Sequence, residues 1–238
     1  MPKAAGPAKA WMSWSSGKDS AFALHTVDQD PDVEVVALLV TLNADADRVA
    51  MHAVRRELVE AQADRLGLPL HVVEIPSPCP NEVYEAQMAA AMAAAVAEEV
   101  RHVVFGDLFL ADVRAYRERA LAGSGIEPLF PLWGRPTRRL AHDMVRSGVG
   151  AVLTCVDPQQ LSPDFVGRPF DASLLADLPT GVDPCGERGE FHTFVWDAPH
   201  FRAPIDIAVG EVVERDGFVF CDVTSPSIPS ASDGRAAR

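Results

Sequence analysis

Ala10-Trp11-Met12-Ser13-Trp14-Ser15-Ser16-Gly17-Lys18-Asp19-Ser20 decides how the chain is read. Its first half, Ala10 to Trp14, is a short apolar strand, and Lys18 to Val27 reads as a helix, so Ser15 to Ser20 is a strand-to-helix turn. Such a turn aims unpaired backbone N–H groups and the positive end of the helix dipole at one point, which makes an anion site. Small residues let a phosphate approach the backbone, the serine hydroxyls add donors, and Lys18 adds a compact positive charge. Two alternatives fail on spacing. Met12 stands where a P-loop needs glycine, Asp19 follows Lys18 where Ser or Thr is required, and the loop is not G-x-G-x-x-G.

Outward from this turn, apolar runs and helical periods alternate. Val33 to Thr41 is nearly continuous β-branched residues and Leu, as a strand buried on both faces requires. Met51 to Leu66 predicts an amphipathic helix closed by Gly67, Leu68 to Ile75 a strand, Asn81 to Val100 a long helix and His102 to Phe105 a fourth strand. This order implies an α/β fold of parallel strands covered by helices, with ligands at the carboxyl ends of the strands. A helix near Ala111 to Leu121 follows, after which Gly123, Gly125 and Pro128 mark a boundary. The expected organisation is a leader over 1–9, a Rossmann-like domain over 10–125, a smaller α+β unit over 126–223 and a disordered tail over 224–238. In the smaller unit a helix near Thr137 to Ser147 precedes a strand from Ala151 to Val156. Ile205 to Glu214 and Phe218 to Val223 flank Arg215-Asp216-Gly217, a hairpin signal.

The 238 residues carry 34 acidic and 21 basic side chains, a net charge of −13. That balance suits a soluble globular protein and argues against one that grips nucleic-acid backbones over a wide surface. Of the basic residues only Lys3, Lys9 and Lys18 are lysines, and the first two fall in the expected leader, so Lys18 is the one lysine expected in the folded body. Cys79, Cys155, Cys185 and Cys221 form no C-x-x-C pair, which indicates neither a zinc ribbon nor a disulfide framework and fits a reducing cytoplasm. The N-terminal segment lacks the apolar core of a signal peptide, and no run approaches the ~18 apolar residues of a membrane span.

Ser15 to Ser20 resembles the pyrophosphate loop of the N-type ATP pyrophosphatases, S-G-G-x-D-S, with Ser16 in place of the first glycine. A side chain fits there if Ser16 takes a negative φ. Met51-His52, Glu60-Ala61-Gln62-Ala63, Gly67-Leu68-Pro69-Leu70, Gly106-Asp107, Pro131-Leu132-Trp133-Gly134 and the run from Asp183-Pro184-Cys185 through Gly186-Glu187-Arg188-Gly189-Glu190-Phe191-His192-Thr193 extend the likeness over residues 10–222. Together they are similar to the diphthine–ammonia ligase family. The resemblance implies a first domain of the adenine nucleotide alpha hydrolase (HUP) type, a family-specific second domain and a cleft between them. It implies that ATP and ammonium convert the carboxylate of diphthine, a modified histidine on translation elongation factor 2, to an amide. By analogy the carboxylate attacks the α-phosphorus to give an acyl-adenylate and pyrophosphate, and ammonia displaces AMP.

On that resemblance Ser15, Ser16, Gly17, Lys18, Asp19 and Ser20 hold the β- and γ-phosphates, with Gly106 beside them and Lys18 neutralising charge as pyrophosphate leaves. Asp19 and Asp107 are the candidates for Mg²⁺, a hard ion served by one or two carboxylates plus phosphate oxygens. The backbone at Val40 and Thr41 is expected to read the adenine edge, with His52 near the nucleotide. Glu187, Glu190 and His192 are expected to meet the acceptor, a carboxylate taking a proton from ammonium with assistance from the imidazole. Trp133, Phe191 and Trp196 are candidates for an aromatic cage around the quaternary ammonium of diphthine. Each has a plainer reading: Asp107 as a helix cap, His52 as an exposed helical residue, Glu190 and His192 as neighbours on one strand face. Cys155 and Cys185 read first as small buried apolar residues. Two other functions compete. A tRNA-modifying enzyme with the same loop needs a basic face and a reactive cysteine, whereas a non-catalytic ATP-binding sensor needs neither. The acceptor is either carried by an elongation factor 2-like protein or a small molecule, and a homodimer is compatible with the sequence.

Overall fold

The computed structural model describes residues 6–49 and 54–228. Its first unit runs β1 (Ala8–Ser13), α1 (Lys18–Val27), β2 (Val33–Asn43), β3 (Arg48–Val49), α2 (Arg56–Leu66), β4 (Leu70–Ile75), α3 (Asn81–Ala97), β5 (His102–Val104), α4 (Ala111–Leu121) and β6 (Glu127–Leu129). β1 lies between β2 and β5, β4 pairs with the far edge of β2, and β6 pairs with β5, all parallel; β3 alone runs antiparallel. The expected α/β architecture is present.

Strand periodicity explains the layers. Successive side chains point to opposite faces, so Ala10 and Met12 of β1 with Leu38, Val40 and Leu42 of β2 enter one core with α1, α2 and the second unit. Trp11, Leu39, Val103 and Phe105 enter another, under α3 and α4. A strand buried on both faces cannot alternate polar with apolar, which is why these runs read as continuous.

The second unit comprises α5 (Thr137–Arg146), β7 (Gly150–Val156), α6 (Ala172–Asp177), β8 (Phe191–Asp197), β9 (Ala208–Arg215) and β10 (Phe218–Thr224), with an antiparallel sheet ordered β8-β7-β10-β9. Its core residues Leu153, Phe191, Phe194 and Leu140 are continuous with those of α1 and α2. Asp222 in β10 also accepts hydrogen bonds from Arg48 (3.0 Å) and Arg55 (2.6 Å), which hold its carboxyl below the usual range although burial opposes the shift.

Several boundaries differ from expectation. Lys9 lies in β1, so the leader is shorter than nine residues and Lys18 is not the only lysine of the folded body. Helix α2 starts at Arg56, with Arg55 extended and bridged to Arg48; the expected start at Met51 lies outside the described residues. β6 belongs to the first sheet although it follows residue 125. Thr224 completes β10, Ser225 is buried and Ile228 packs on the core, so the chain stays ordered past 223.

Candidate active-site cleft

Helix α1 begins at the carboxyl end of β1, and its N-cap is Gly17. Ser15 Oγ accepts from the Gly17 N–H (3.4 Å) and lies 3.2 Å from Ser20 Oγ, which donates to the Gly17 carbonyl (2.9 Å). Ser16 has φ +69°, not the negative value expected. The loop keeps the left-handed turn that glycine would make without strain, and Ser16 adopts it because its carbonyl is held twice: it accepts from Val195 N (2.9 Å) and Gln62 Nε2 (3.1 Å). Its Oγ is buried and makes no hydrogen bond. A left-handed L-residue costs about 1–2 kcal/mol and a buried orphan hydroxyl adds to that, against the greater entropy of an unfolded glycine. Ser16→Gly is therefore expected to raise stability by about 1 kcal/mol in denaturant melts; a drop would show that the hydroxyl has a stabilising role.

A cleft of about 200 Å³ opens in front of this turn, bordered by Ser15, Lys18, Asp19, Ser20, Gly106, Asp107, Glu187 and His192. The first sheet and the β8 segment thus bring most of the sequence-marked residues together. Gly106 is required by close approach: a Cβ there would lie 3.0 Å from the Asp19 carbonyl carbon and the Ser20 nitrogen. Ser16 and Gly17 shape the turn without bordering the cleft.

Lys18 is 2% exposed. Its Nζ donates to Asp19 Oδ2 (2.8 Å) and to the Cys185 carbonyl, and it stands 5.3 Å from the Phe191 ring and 5.5 Å from that of Phe170. Burial alone favours the neutral amine, but the carboxylate of Asp19 outweighs it and keeps the ammonium charged. The Lys18 amide donates to Thr193 Oγ1 (3.1 Å), so the second unit caps the helix that carries the loop.

The acids divide by role. Glu187 Oε1 accepts from the amides of Leu108 (2.8 Å) and Phe109 (3.4 Å). Burial, reinforced by Asp19 and Asp107 and opposed by those amides, pushes its carboxyl up to about 7. Asp107 Oδ2 is buried without a hydrogen bond, 3.6 Å from Arg117 Nε, and burial raises its carboxyl. Glu190 differs from expectation: it lies outside the cleft, 2% exposed, with its two oxygens accepting from the Asp183 and Arg188 amides (2.9 Å each). It clamps the turn that presents Cys185 and Glu187. His192 borders the cleft, but burial and then Lys18 lower its pKa to about 4, leaving a neutral imidazole rather than the near-neutral titrating group expected.

Val40 and Thr41 lie within β2, paired with Val72 and Val73, and border no part of this cleft. His52 lies outside the described residues. At the end of β2, Asn43, Arg48 and Val49 join Phe218 and Phe220 around a second cavity of about 250 Å³, which His192 also borders. Of the three aromatic candidates only Phe191 borders the cleft; Trp133 packs with Phe130 and Arg114, and Trp196 against Gly150. Burial raises the Cys155 thiol to about 12, that of Cys221 to about 11 and that of Cys185 further, as buried apolar residues behave.

Two residues carry weight that sequence reading did not assign. Gln62 is fully buried and joins Trp14 Nε1 (2.8 Å), the Ser16 carbonyl (3.1 Å) and the Val195 carbonyl (2.7 Å). Its signal was a glutamine on the otherwise apolar face of α2 beside Leu58, Val59 and Ala63. Arg117, on α4, lies 4.8 Å over the Phe105 ring and borders the cleft; nothing in its helical neighbourhood sets it apart. No group of three or more His, Cys, Asp or Glu side chains among the described residues forms a metal cluster.

A mostly parallel α/β domain with a strand-to-helix turn at its first strand, joined by a smaller antiparallel second unit, defines a Rossmann-like architecture. Residues 8–128 match the diphthamide synthase N-terminal domain and residues 136–225 the diphthamide synthase C-terminal domain. The chain belongs to the diphthamide synthase family. It is 30% identical over 230 residues to the diphthine–ammonia ligase of Danio rerio, covering 88% of this chain and 90% of that one. It is 26% identical over 225 residues to the Schizosaccharomyces pombe diphthine–ammonia ligase (87% and 37%) and 32% over 131 residues to that of Bos taurus (53% and 49%). The matches thus span about half of the bovine relative and less of the yeast one.

Proposed function

We propose that this chain is an ATP-dependent ligase that activates an acceptor carboxylate, that of diphthine on a translation factor, and converts it to the amide with ammonia. The observation that carries the reading is the convergence of Ser15, Lys18, Asp19, Ser20, Asp107 and Glu187 on one cleft. The triphosphate lies against the α1 turn, and the nucleoside extends past His192 into the cavity at the end of β2, beyond the Val40 and Thr41 backbone. A carboxylate oxygen attacks the α-phosphorus, the bond to pyrophosphate breaks, and Lys18 meets the charge that develops on the leaving group. Ammonia then attacks the acyl carbon, AMP leaves, and the proton from nitrogen passes to a base.

Glu187 suits that last task, because its carboxyl titrates near neutrality and faces the cleft. His192, neutral throughout, orients rather than accepts. Asp107, with an unbonded buried oxygen, and Asp19 would hold Mg²⁺, which would spread charge over the phosphates when bound. A sulfur-transferring alternative is disfavoured by Cys155, Cys185 and Cys221, whose thiols burial pushes up rather than down.

The test is incubation with ATP, Mg²⁺, ammonium and diphthine-bearing elongation factor 2, following AMP and pyrophosphate. ADP as product would overturn the reading. Glu187 must be ionised to act as base, so at constant free ammonia the rate is expected to rise with pH through about 7. Glu187→Gln should flatten that limb and cost roughly 10²–10⁴-fold in turnover; a limb that persists unchanged assigns the proton to another group.

A further inference from the structure

Beyond the cleft, the first unit holds a larger groove of about 820 Å³ between α3 and α4, floored by Leu39, Val103 and Phe105 of the sheet. Its walls include Tyr84, Met88 and Met92 of α3 and Tyr116 of α4. All of its lining residues fall within 39–124, so it opens without any part of the second unit. Its volume is that of a site for a substantial organic group, far more than ammonia requires.

The groove and the cleft share two walls, Phe105 and Arg117. Arg117 is the cation at that junction. Its guanidinium lies over the Phe105 ring, and its buried Nε faces Asp107 Oδ2 at 3.6 Å with neither atom hydrogen-bonded. With Nε turned to Asp107 and the side chain 29% exposed, the planar guanidinium steadied on the ring has further N–H donors in the fork that matches a second carboxylate. Arg119 adds a second positive charge to the lining against the single acid Glu85.

We propose that this groove receives the acceptor: the hydrocarbon stem of a protein-borne side chain lies along Met88 and Met92, its quaternary ammonium faces the Tyr84 and Tyr116 rings and Glu85, and its carboxylate meets Arg117 where the groove joins the cleft. The assignment rests on the ligase reading above and adds the acceptor's route and the group that fixes its carboxylate. On that reading the nucleoside takes the separate cavity that His192 borders at the end of β2. The acceptor therefore enters from the opposite side, bringing carboxylate and α-phosphorus together from two directions.

Ala89 and Ala120 are exposed, line the groove from α3 and α4 respectively, and touch none of the cleft residues' assigned tasks. Ala89→Trp and Ala120→Trp fill it from opposite walls at positions where a large side chain does not disturb the core. The experiment titrates diphthine-bearing elongation factor 2 and, separately, ATP against the full chain and both variants, then measures AMP release. Both variants are expected to weaken factor binding by roughly tenfold or more, as blocking a central anchor does, with ATP affinity unchanged. Unchanged factor affinity overturns the groove assignment, as does a loss of ATP affinity instead, which would put the nucleoside there. Failure of the unaltered chain to bind the factor also overturns it. Binding that is lost in both variants, without AMP release from the unaltered chain, supports the groove and overturns the ligase reading.

Discussion

Lys18→Met is expected to reduce ATP-dependent turnover by roughly a hundredfold to a thousandfold, the loss seen when a preorganised donor to developing charge is removed. The variant is also expected to unfold more easily. Lys18 lies 2.8 Å from Asp19 Oδ2 at a side-chain exposure of 2% against 28% for its partner. Removing one member of a buried pair leaves the other uncompensated, which costs about 3–5 kcal/mol when burial is complete and less for the partly open carboxylate here. Stability and chemistry can be separated. In Lys18→Met/Asp19→Asn no charge is stranded, so the melting temperature should recover much of the loss while turnover stays low. Lys18→Arg should rescue neither, because the two aromatic rings and the Cys185 carbonyl enclose a compact ammonium and leave no plane for a guanidinium fork. Near-normal turnover in the double variant would remove Lys18 from the chemistry and leave it a purely structural role.

What could be read from the sequence follows the range of the interactions involved. β1, β2, β4 and β5 were legible because they pack into a core on each face, whereas the short, partly exposed β3 and β6 were not, and the turn at Ser15 to Ser20 was legible because its residues are contiguous and its chemistry is local. Asp107 and Glu187 were legible as acids in polar, Gly-rich segments beside expected strand ends. Partnerships across the chain were not. Thr193 caps a helix 175 residues earlier and leaves no local pattern; Gln62, marked only as a lone amide on an apolar helix face, bonds a carbonyl 133 residues later that its neighbours do not name. Glu190 was misassigned for the same reason that it looked functional. A carboxylate in a Gly-rich turn serves a substrate or the turn itself, and only the two amides from Asp183 and Arg188 distinguish the cases. The neutral state of His192 depends on how deeply β8 is packed, which a strand's own residues do not disclose. The positive φ of Ser16 likewise comes from the tethers on its carbonyl.

Gln62 yields the second large effect, and its amide chemistry makes the result specific. Gln62 Oε1 accepts from Trp14 Nε1, while Nε2 donates to the Ser16 and Val195 carbonyls, so one side chain spans α2, the Ser15–Ser20 turn and β8. Gln62→Leu keeps the volume but leaves Trp14 Nε1 and the Val195 carbonyl short of a partner inside the core. At about 1–3 kcal/mol for each buried group left unsatisfied, the loss should reach about 2–5 kcal/mol in denaturant melts. The Ser16 carbonyl retains the Val195 amide at 2.9 Å, which keeps the estimate from rising further. Turnover should fall as well, since this residue fixes the second unit against the turn that carries Lys18. Gln62→Glu separates hydrogen bonding from packing. An ionised carboxylate accepts from Trp14 but faces two carbonyls without a donor, so its pKa is raised by burial and by those oxygens. Stability should then be greatest below the usual carboxylate range, where the protonated acid donates to one carbonyl, and should decline as pH rises through the elevated value. Gln62→Leu should show no such added dependence. If both variants lose the same stability at every pH, the hydrogen bonds are not what couples the two units, and shape alone holds the turn in place.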